Sequence, residues 1–283
     1  MEKHQIIERS IITTYRSKLW SKFVKAIKEY ELLKPGDCVC VCMSGGKDSF
    51  VMAKLFQELK KHSDFEFDVK YLVMNPGYNA RNLEVIKNNL EIMKIPAVIK
   101  DTDIFEIASI QTKSPCYLCA KMRRGALYKL AKDLGCNKIA LGHHFDDVIE
   151  TTLMNMLNVG SFQTMLPKLH SDNYEGMELI RPLYLIRERD IIAWRNYNEL
   201  EFILCACKLT EGLAPEETGK TSSQRENTKR LIRELAQYNP VVEKNIFKSA
   251  TNVYIDKILG WKKDGKNFSY LDFYDNNENK NEE

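Results

Sequence analysis

The stretch Val39-Cys-Val-Cys-Met-Ser-Gly-Gly-Lys-Asp-Ser-Phe-Val-Met-Ala53 runs from an apolar segment into a short polar hinge and on into helix-forming residues. Val39 to Met43 is apolar without alternation, the pattern of a strand covered on both faces. Beyond Asp48 the apolar positions Phe50, Val51, Leu55 and Leu59 fall at helical spacing. The stretch predicts a strand, a tight loop and a helix whose positive end faces the loop, an arrangement that grips phosphate. A Walker A loop requires a glycine where Val41 stands and Ser or Thr where Asp48 stands, so that reading fails. The dinucleotide pattern fails too, because Gly45 and Gly46 are adjacent and no third glycine opens the helix.

Working outward, strand candidates follow at 67–74, 97–100, 138–142 and 179–182. Helical patterns lie at 8–30, 81–93, 115–134, 147–158, 188–198, 228–237 and 242–258. Strands that alternate with helices predict a mainly parallel α/β sheet with ligands beyond the carboxyl ends of its strands. The hinge and the segment after Leu141 are then expected at one cleft. The expected organisation is an N-terminal helical segment (1–36), the nucleotide-handling domain with its cysteines (37–210), a mobile polar loop (211–228), and C-terminal helices with a solvated tail (229–283).

Composition sets the context. A chain of 283 residues can bury a sizeable core. It has no run of about 18 apolar residues and no signal-peptide start, so a cytoplasmic protein without a membrane role is expected. The eight cysteines do not suggest a disulfide framework, since Cys38, Cys40 and Cys42 fall inside the first strand as small hydrophobes. A net charge of +3 permits a local basic surface without establishing nucleic-acid binding.

Two further stretches carry chemistry. In Ser114-Pro-Cys-Tyr-Leu-Cys-Ala-Lys-Met-Arg-Arg-Gly125, Ser114 reads as an N-cap and Pro115 as the first helical residue, so Cys116 and Cys119 share the first turns of one face. The helix dipole with Lys121, Arg123 and Arg124 favours thiolates. The pair alone fits a redox couple, half a zinc site, part of an iron–sulfur site or two core residues. Cys205 and Cys207, after the last crossover helix, make a third ligand available, and three thiolates suit a four-iron cluster with one open iron. In Leu141-Gly-His-His-Phe-Asp-Asp-Val-Ile-Glu150, Asp147 with Glu150 reads as a capping box. The same histidines and carboxylates at a strand end also suit nucleotide and Mg²⁺ binding.

Ser44-Gly-Gly-Lys-Asp-Ser49 resembles the pyrophosphate-binding loop of the PP-loop ATP-pyrophosphatases, and Gly142-His-His-Phe-Asp-Asp147 resembles their second signature. The Cys116–Gly125 segment, Met165-Leu-Pro-Lys-Leu, Arg181-Pro-Leu and the late cysteines resemble the tRNA 2-thiocytidine synthetase (TtcA) group over roughly residues 8–260. One departure stands out: the family's late cysteines are separated by two residues, whereas Cys205 and Cys207 are separated by one, and spacing from Pro182 favours Cys207 as ligand.

The resemblance implies a Rossmann-like fold of the adenine nucleotide α-hydrolase type and an enzyme that adenylates a tRNA base with ATP and replaces its C2 oxygen by sulfur. The product would be 2-thiocytidine at cytidine 32. Ser44, Gly45, Gly46, Lys47, Asp48 and Ser49 would bind the phosphates and their Mg²⁺, Met74 would flank adenine, and Gly142, His143 and Asp147 would close the site. Lys47 also reads as a merely solvated residue. Asp48, Arg123 and Asp147 would be catalytic, and a [4Fe–4S] cluster would sit on Cys116, Cys119 and Cys207, with Cys205 as the alternative third ligand. The expected partners are tRNA, a sulfur donor such as a cysteine desulfurase or free sulfide, and a second copy in a homodimer. Two rivals remain: a Cys116/Cys119 persulfide or disulfide pair without a cluster, and an ATP-sensing or RNA-binding module without catalysis.

Overall fold

The apolar strand β1 (Cys38–Met43) lies at the centre of a six-stranded sheet of order β3-β2-β1-β4-β6-β5. The structure is a computed structural model that describes residues 1–109, 115–203 and 224–274, without the side chains of 108–109 and 115–117. Strands β2 (Asp68–Asn75), β3 (Ala97–Asp101), β4 (Lys138–Ala140) and β6 (Glu178–Ile180) run parallel to β1, and β5 (Lys168–His170) closes one edge antiparallel. Five of the six residues of β1 are buried, as its lack of alternation requires. The order reverses between β1 and β4, so a crevice opens at their carboxyl ends.

The helices are α1 (Lys3–Ile12), α2 (Ser21–Glu29), α3 (Lys47–His62), α4 (Ala80–Ile92), α5 (Ile104–Ser109), α6 (Pro115–Asp133), α7 (Phe145–Met154), α8 (Glu188–Tyr197), α9 (Gln224–Tyr238) and α10 (Val242–Ser249). None of the described helices is long and apolar enough to cross a membrane. The chain divides into two compact units, Met1–Arg230 and Leu231–Glu283. The second contains α10 and an antiparallel hairpin of β7 (Gly260–Lys263) and β8 (Lys266–Ser269).

Several boundaries differ from the sequence reading. The single helix expected over 8–30 is two helices joined by a π-helical turn at Arg16–Trp20. The helix expected over 242–258 ends at Ser249, and residues 224–228, expected in a mobile loop, begin α9. Ser114, expected as an N-cap, lies outside the described residues, while Pro115 does open α6.

Helix α3 leaves the crevice and passes through the core, with Phe50, Val51, Met52, Leu55 and Phe56 buried. Its Lys54 is fully buried, and its Nζ donates to Glu8 Oε1 of α1 (2.7 Å) and to the Met93 carbonyl (3.0 Å). Burial pulls the Lys54 ammonium below its ordinary pKa, and Glu8 opposes that pull. Removing Glu8 leaves a buried charge without its counter-ion. Glu8→Ala is expected to cost roughly 3 kcal/mol in urea unfolding, and Glu8→Ala with Lys54→Met is expected to recover most of that loss.

Candidate active site

The loop after β1 turns through Gly45 at φ +86°, a conformation that disfavours any side chain, and a Cβ there would lie 2.5 Å from Ile203 Cδ1. Gly46 is the N-cap of α3, which puts Asp48 in the first turn and aims the helix dipole back into the crevice. The hydroxyl of Ser49 donates to the Gly46 carbonyl (2.8 Å), and the Tyr78 hydroxyl donates to the Ser44 carbonyl (3.0 Å). Tyr78 is itself fixed by its backbone N–H, which donates to Asn75 Oδ1 at the end of β2 (2.7 Å). The loop is therefore held from both sides before any ligand arrives.

Across the crevice, Gly142 follows β4 and packs directly on the start of α3. A Cβ at Gly142 would lie 3.3 Å from both Asp48 C and Ser49 N. The N-cap of α7 is His144, not Asp147 as the sequence suggested. The His144 backbone N–H donates to Asp147 Oδ2 (2.8 Å), and the Asp147 N–H donates to His144 Nδ1 (3.4 Å). An imidazole that accepts at Nδ1 carries its proton on Nε2 when neutral. Asp146 faces elsewhere: Arg187 Nη2 donates to its Oδ1 (2.9 Å), and the Glu188 N–H donates to its Oδ2 at the start of α8 (2.7 Å).

These elements enclose a cavity of about 400 Å³. Of the residues singled out from sequence, Ser44, Asp48, Ser49, Met74, Arg123, Gly142, His143 and Asp147 line it. Its apolar wall is supplied by Met43, Met74, Leu127, Ile139 and Leu141. Lys47 does not line this cavity. It points to the neighbouring recess, where its Nζ lies 3.2 Å from Asp48 Oδ2 and 3.1 Å from Glu188 Oε1. Gly45 and Gly46 shape the loop rather than the wall.

Two buried polar atoms on the cavity wall, Asp48 Oδ1 and His143 Nδ1, have no hydrogen-bond partner. Asp48 Oδ1 faces His144 Nε2 at 4.0 Å, too far for a hydrogen bond. Burial raises the Asp48 carboxyl above its ordinary pKa despite Lys47 and His144. A carboxylate oxygen left open beside a helix N-terminus fits a metal-bridged phosphate.

The other side of the Asp48/Asp147 pair is a polar recess of about 250 Å³ lined by Lys47, Glu150, Glu188, Arg225 and Lys229 among others. Arg225 bonds both Asp147 and Glu150, and Lys229 Nζ lies 2.6 Å from Glu188. Burial opposes ionisation of Glu188, but Lys229 and Lys47 hold its carboxyl down to about 2. The sequence reading missed Glu188, Arg225 and Lys229, which no motif marks.

Helix α6 carries Ala120, Arg123, Arg124 and Leu127 on the cavity, and positions 116 and 119 lie one turn before 120 and 123. Cys119 is half-buried against the core, while the side chain of Cys116 and all of Cys205 and Cys207 lie outside the described residues. Among the described residues no group of three His, Cys, Asp or Glu is arranged to hold a metal ion. The donor set of soft thiolates nevertheless has the chemistry of an iron–sulfur site. Cys38, Cys40 and Cys42 lie in β1, with Cys40 and Cys42 buried and Cys38 half-buried, and Cys42 also lines the cavity. Burial pushes the Cys38 thiol up to about 12, and its sulfur lies 3.2 Å from that of Cys136.

Two outcomes are expected. Gly142→Ala should press on the backbone of Asp48 and Ser49, lowering kcat/KM for ATP at least roughly tenfold with little change in melting temperature. Burial holds His143 down to about 4, so between the unfolded value near 6.5 and pH 4 the unfolded chain binds the extra proton. The stability contribution of neutral His143 is therefore complete above pH 6.5 and is lost as pH falls towards 4. His143→Asn should flatten that part of a melting-temperature profile, and an unchanged profile would contradict the assignment.

The model of the PP-loop domain family matches residues 16–206. The tRNA-cytidine(32) 2-sulfurtransferase of Citrifermentans bemidjiense is 34 % identical over 239 residues, covering 83 % of this chain and 90 % of that protein. The protein of that name from Coxiella burnetii is 36 % identical over 238 residues, covering 83 % and 89 %. The solved U34-tRNA thiolase of Methanococcus maripaludis, with its [4Fe-4S] cluster, shares the fold at a TM-score of 0.63 and 21 % identity, covering 82 % of this chain and 76 % of that one. The chain belongs to the PP-loop family and, within it, to the tRNA-cytidine 2-sulfurtransferases.

Proposed function

We propose that this protein forms 2-thiocytidine at cytidine 32 of tRNA, activating the base with ATP and replacing its C2 oxygen by sulfur. The observation that carries the reading is the convergence of Ser44, Asp48 and Ser49 with Gly142, His143 and Asp147 on one cavity, beneath the helix that bears the Cys-x-x-Cys pair. The activating domain is assigned to residues 37–210, with 1–36 and 229–283 as helical additions. The names of the similar sulfurtransferases support the substrate.

The chemistry requires activation because the base's C2 oxygen is a poor leaving group. In this reading that oxygen attacks the α-phosphorus of ATP, the bond to the β-phosphate oxygen breaks, and pyrophosphate leaves. Hydrosulfide then adds at C2 and AMP departs with the original oxygen. The loop 44–49 holds the β- and γ-phosphates against the helix dipole, with Asp48 as the carboxylate for Mg²⁺, which when bound neutralises the leaving charge. Met74 flanks adenine. Arg123 faces the α-phosphate and stabilises charge there. His143, which burial keeps neutral, has an unbonded Nδ1 that donates or accepts according to its tautomer, and Asp147 holds the opposite wall in register through His144. A base stacked in an anticodon loop hides its C2, so the target must be turned out into the cavity.

Cys116, Cys119 and Cys207 are assigned as ligands of a [4Fe–4S] cluster, with Cys205 as the alternative to Cys207; the cluster when bound supplies sulfide from an external donor. The pair at 205 and 207 would alternate faces if extended, so only one can reach a given iron. Cys116→Ala and Cys119→Ala are each expected to lose the broad visible absorbance of an iron–sulfur protein and all thiolation, read by mass spectrometry of tRNA nucleosides, while retaining ATP binding. Of Cys205→Ala and Cys207→Ala, only the latter should match them. If both late variants keep full iron and activity after anaerobic reconstitution, the three-cysteine cluster is wrong. Asp48→Ala should keep the iron and lose turnover, and normal turnover by this variant would sink the phosphate-site assignment.

A further inference from the structure

Arg181 follows β6 and sits beside Leu141 and Gly142, because β4 and β6 pair at Ala140 and Ile180 and the Leu141 N–H donates to the Ile180 carbonyl (3.0 Å). It is only 7 % exposed. Its Nη1 donates to the Leu166 carbonyl, its Nε has no hydrogen-bond partner, and no carboxylate lies within ion-pair distance among the described residues. A buried guanidinium normally has a counter-ion, and leaving one without is costly. The nearby charges make matters worse: Arg124 acts on Arg181 with like sign, and the two side chains share Tyr128 as a neighbour. Asp147 acts on Arg181 only at longer range and is already bonded by Arg225 and by the α7 cap. Arg124 and His143 are both part of the cavity wall.

Arg124 is exposed on the cavity wall, and Arg181 is buried behind that wall, beside the lining residues Leu141 and Gly142, with its Nε unbonded. A buried guanidinium without a carboxylate partner next to a second cation asks for an anion. We propose that Arg181 and Arg124 form a phosphate subsite for the RNA substrate, receiving a backbone phosphate next to the nucleotide whose base enters the cavity. The inference rests on the reading that this chain acts on tRNA. It places the RNA on the β6 side for a topological reason. Ser44, Asp48 and Ser49 follow β1 and Met74 closes β2, so the assigned ATP site lies over β2, β1 and β4. Arg181 lies one strand further on, away from Met74, towards the edge strand that carries Lys168. The base would then reach the α-phosphate from the side opposite adenine. Its own backbone would remain at the two arginines.

The test uses the full-length protein and an unmodified tRNA transcript, with binding read by fluorescence anisotropy at several salt concentrations and ATP binding read by equilibrium dialysis. Arg181→Gln and Arg124→Gln are each expected to raise the tRNA Kd about tenfold. Each should also reduce the slope of log K against log salt by about one. ATP affinity should not change, and Arg181→Lys should keep most of the salt slope. Removing an unneutralised buried charge should leave the melting temperature of ligand-free Arg181→Gln equal or higher; a lower one marks a structural arginine and overturns the proposal. An Arg181→Gln chain that does not fold is the extreme of that outcome and overturns the proposal in the same way, whereas Arg124 is exposed, so Arg124→Gln reads binding without a folding cost. Weakened ATP binding with unchanged tRNA binding assigns the arginines to the nucleotide and overturns the proposal, as does unchanged binding of both. Wild-type protein that fails to bind tRNA overturns the functional reading itself, and the subsite with it.

Discussion

The site depends on one close approach: Gly142, at the end of β4, lies against the peptide joining Asp48 to Ser49 at the start of α3. A Cβ at Gly142 would meet that peptide at 3.3 Å, so the neighbouring backbone would have to give by a few tenths of an ångström. This contact brings the ends of β1 and β4 together where the strand order reverses, and everything that lines the cavity is placed relative to it. Asp48 and Ser49 sit on one side, and His143 and the cap of α7 sit on the other. A parallel sheet makes such a crevice at its switch point for geometric reasons, and the chain has put its polar atoms there.

The polar atoms are not arranged for stability. Asp48 Oδ1, His143 Nδ1 and Arg181 Nε are buried without partners, within a unit whose other buried polar groups are mostly bonded. A folded domain tolerates such atoms where a ligand is going to satisfy them. The recess behind Asp48 is different in kind. There Lys47, Glu188, Lys229, Arg225, Asp147 and Glu150 are joined by ion pairs. Lys47 of that network holds one oxygen of Asp48, and the other is buried without a hydrogen-bond partner, 4.0 Å from His144 Nε2.

Much of this was legible in the sequence because it is local. An unalternating strand followed by Ser-Gly-Gly-Lys-Asp-Ser defines both the loop and the helix, and Gly-His-His after the fourth strand marks the facing wall. Motif reading went wrong where a neighbouring residue serves the same role. Asp147 looks like an N-cap, yet the imidazole of His144 takes that place and Asp147 becomes the return partner. Periodicity also passed over the π-helical break at Arg16–Trp20, because the apolar positions continue across it. Edge strand β5 was passed over because three residues of mixed polarity carry no period. The hairpin at Gly260–Ser269 did have a signal, Asp264-Gly265 between Trp261 and Phe268, passed over when 229–283 was read only as helices and a solvated tail. Glu188, Arg225 and Lys229 belong to segments distant in sequence, and only the fold reveals their ion pairs.

The most direct measurement of the central claim follows an oxygen atom. A tRNA carrying ¹⁸O at C2 of the target cytidine, turned over with ATP and a sulfide source, should transfer the label quantitatively to the phosphate of AMP, with unlabelled pyrophosphate as the other product. That result requires the base oxygen to have attacked the α-phosphorus. Label recovered in water, or thiolation accompanied by ADP and inorganic phosphate, would contradict an adenylated base and with it the role assigned to the crevice between β1 and β4.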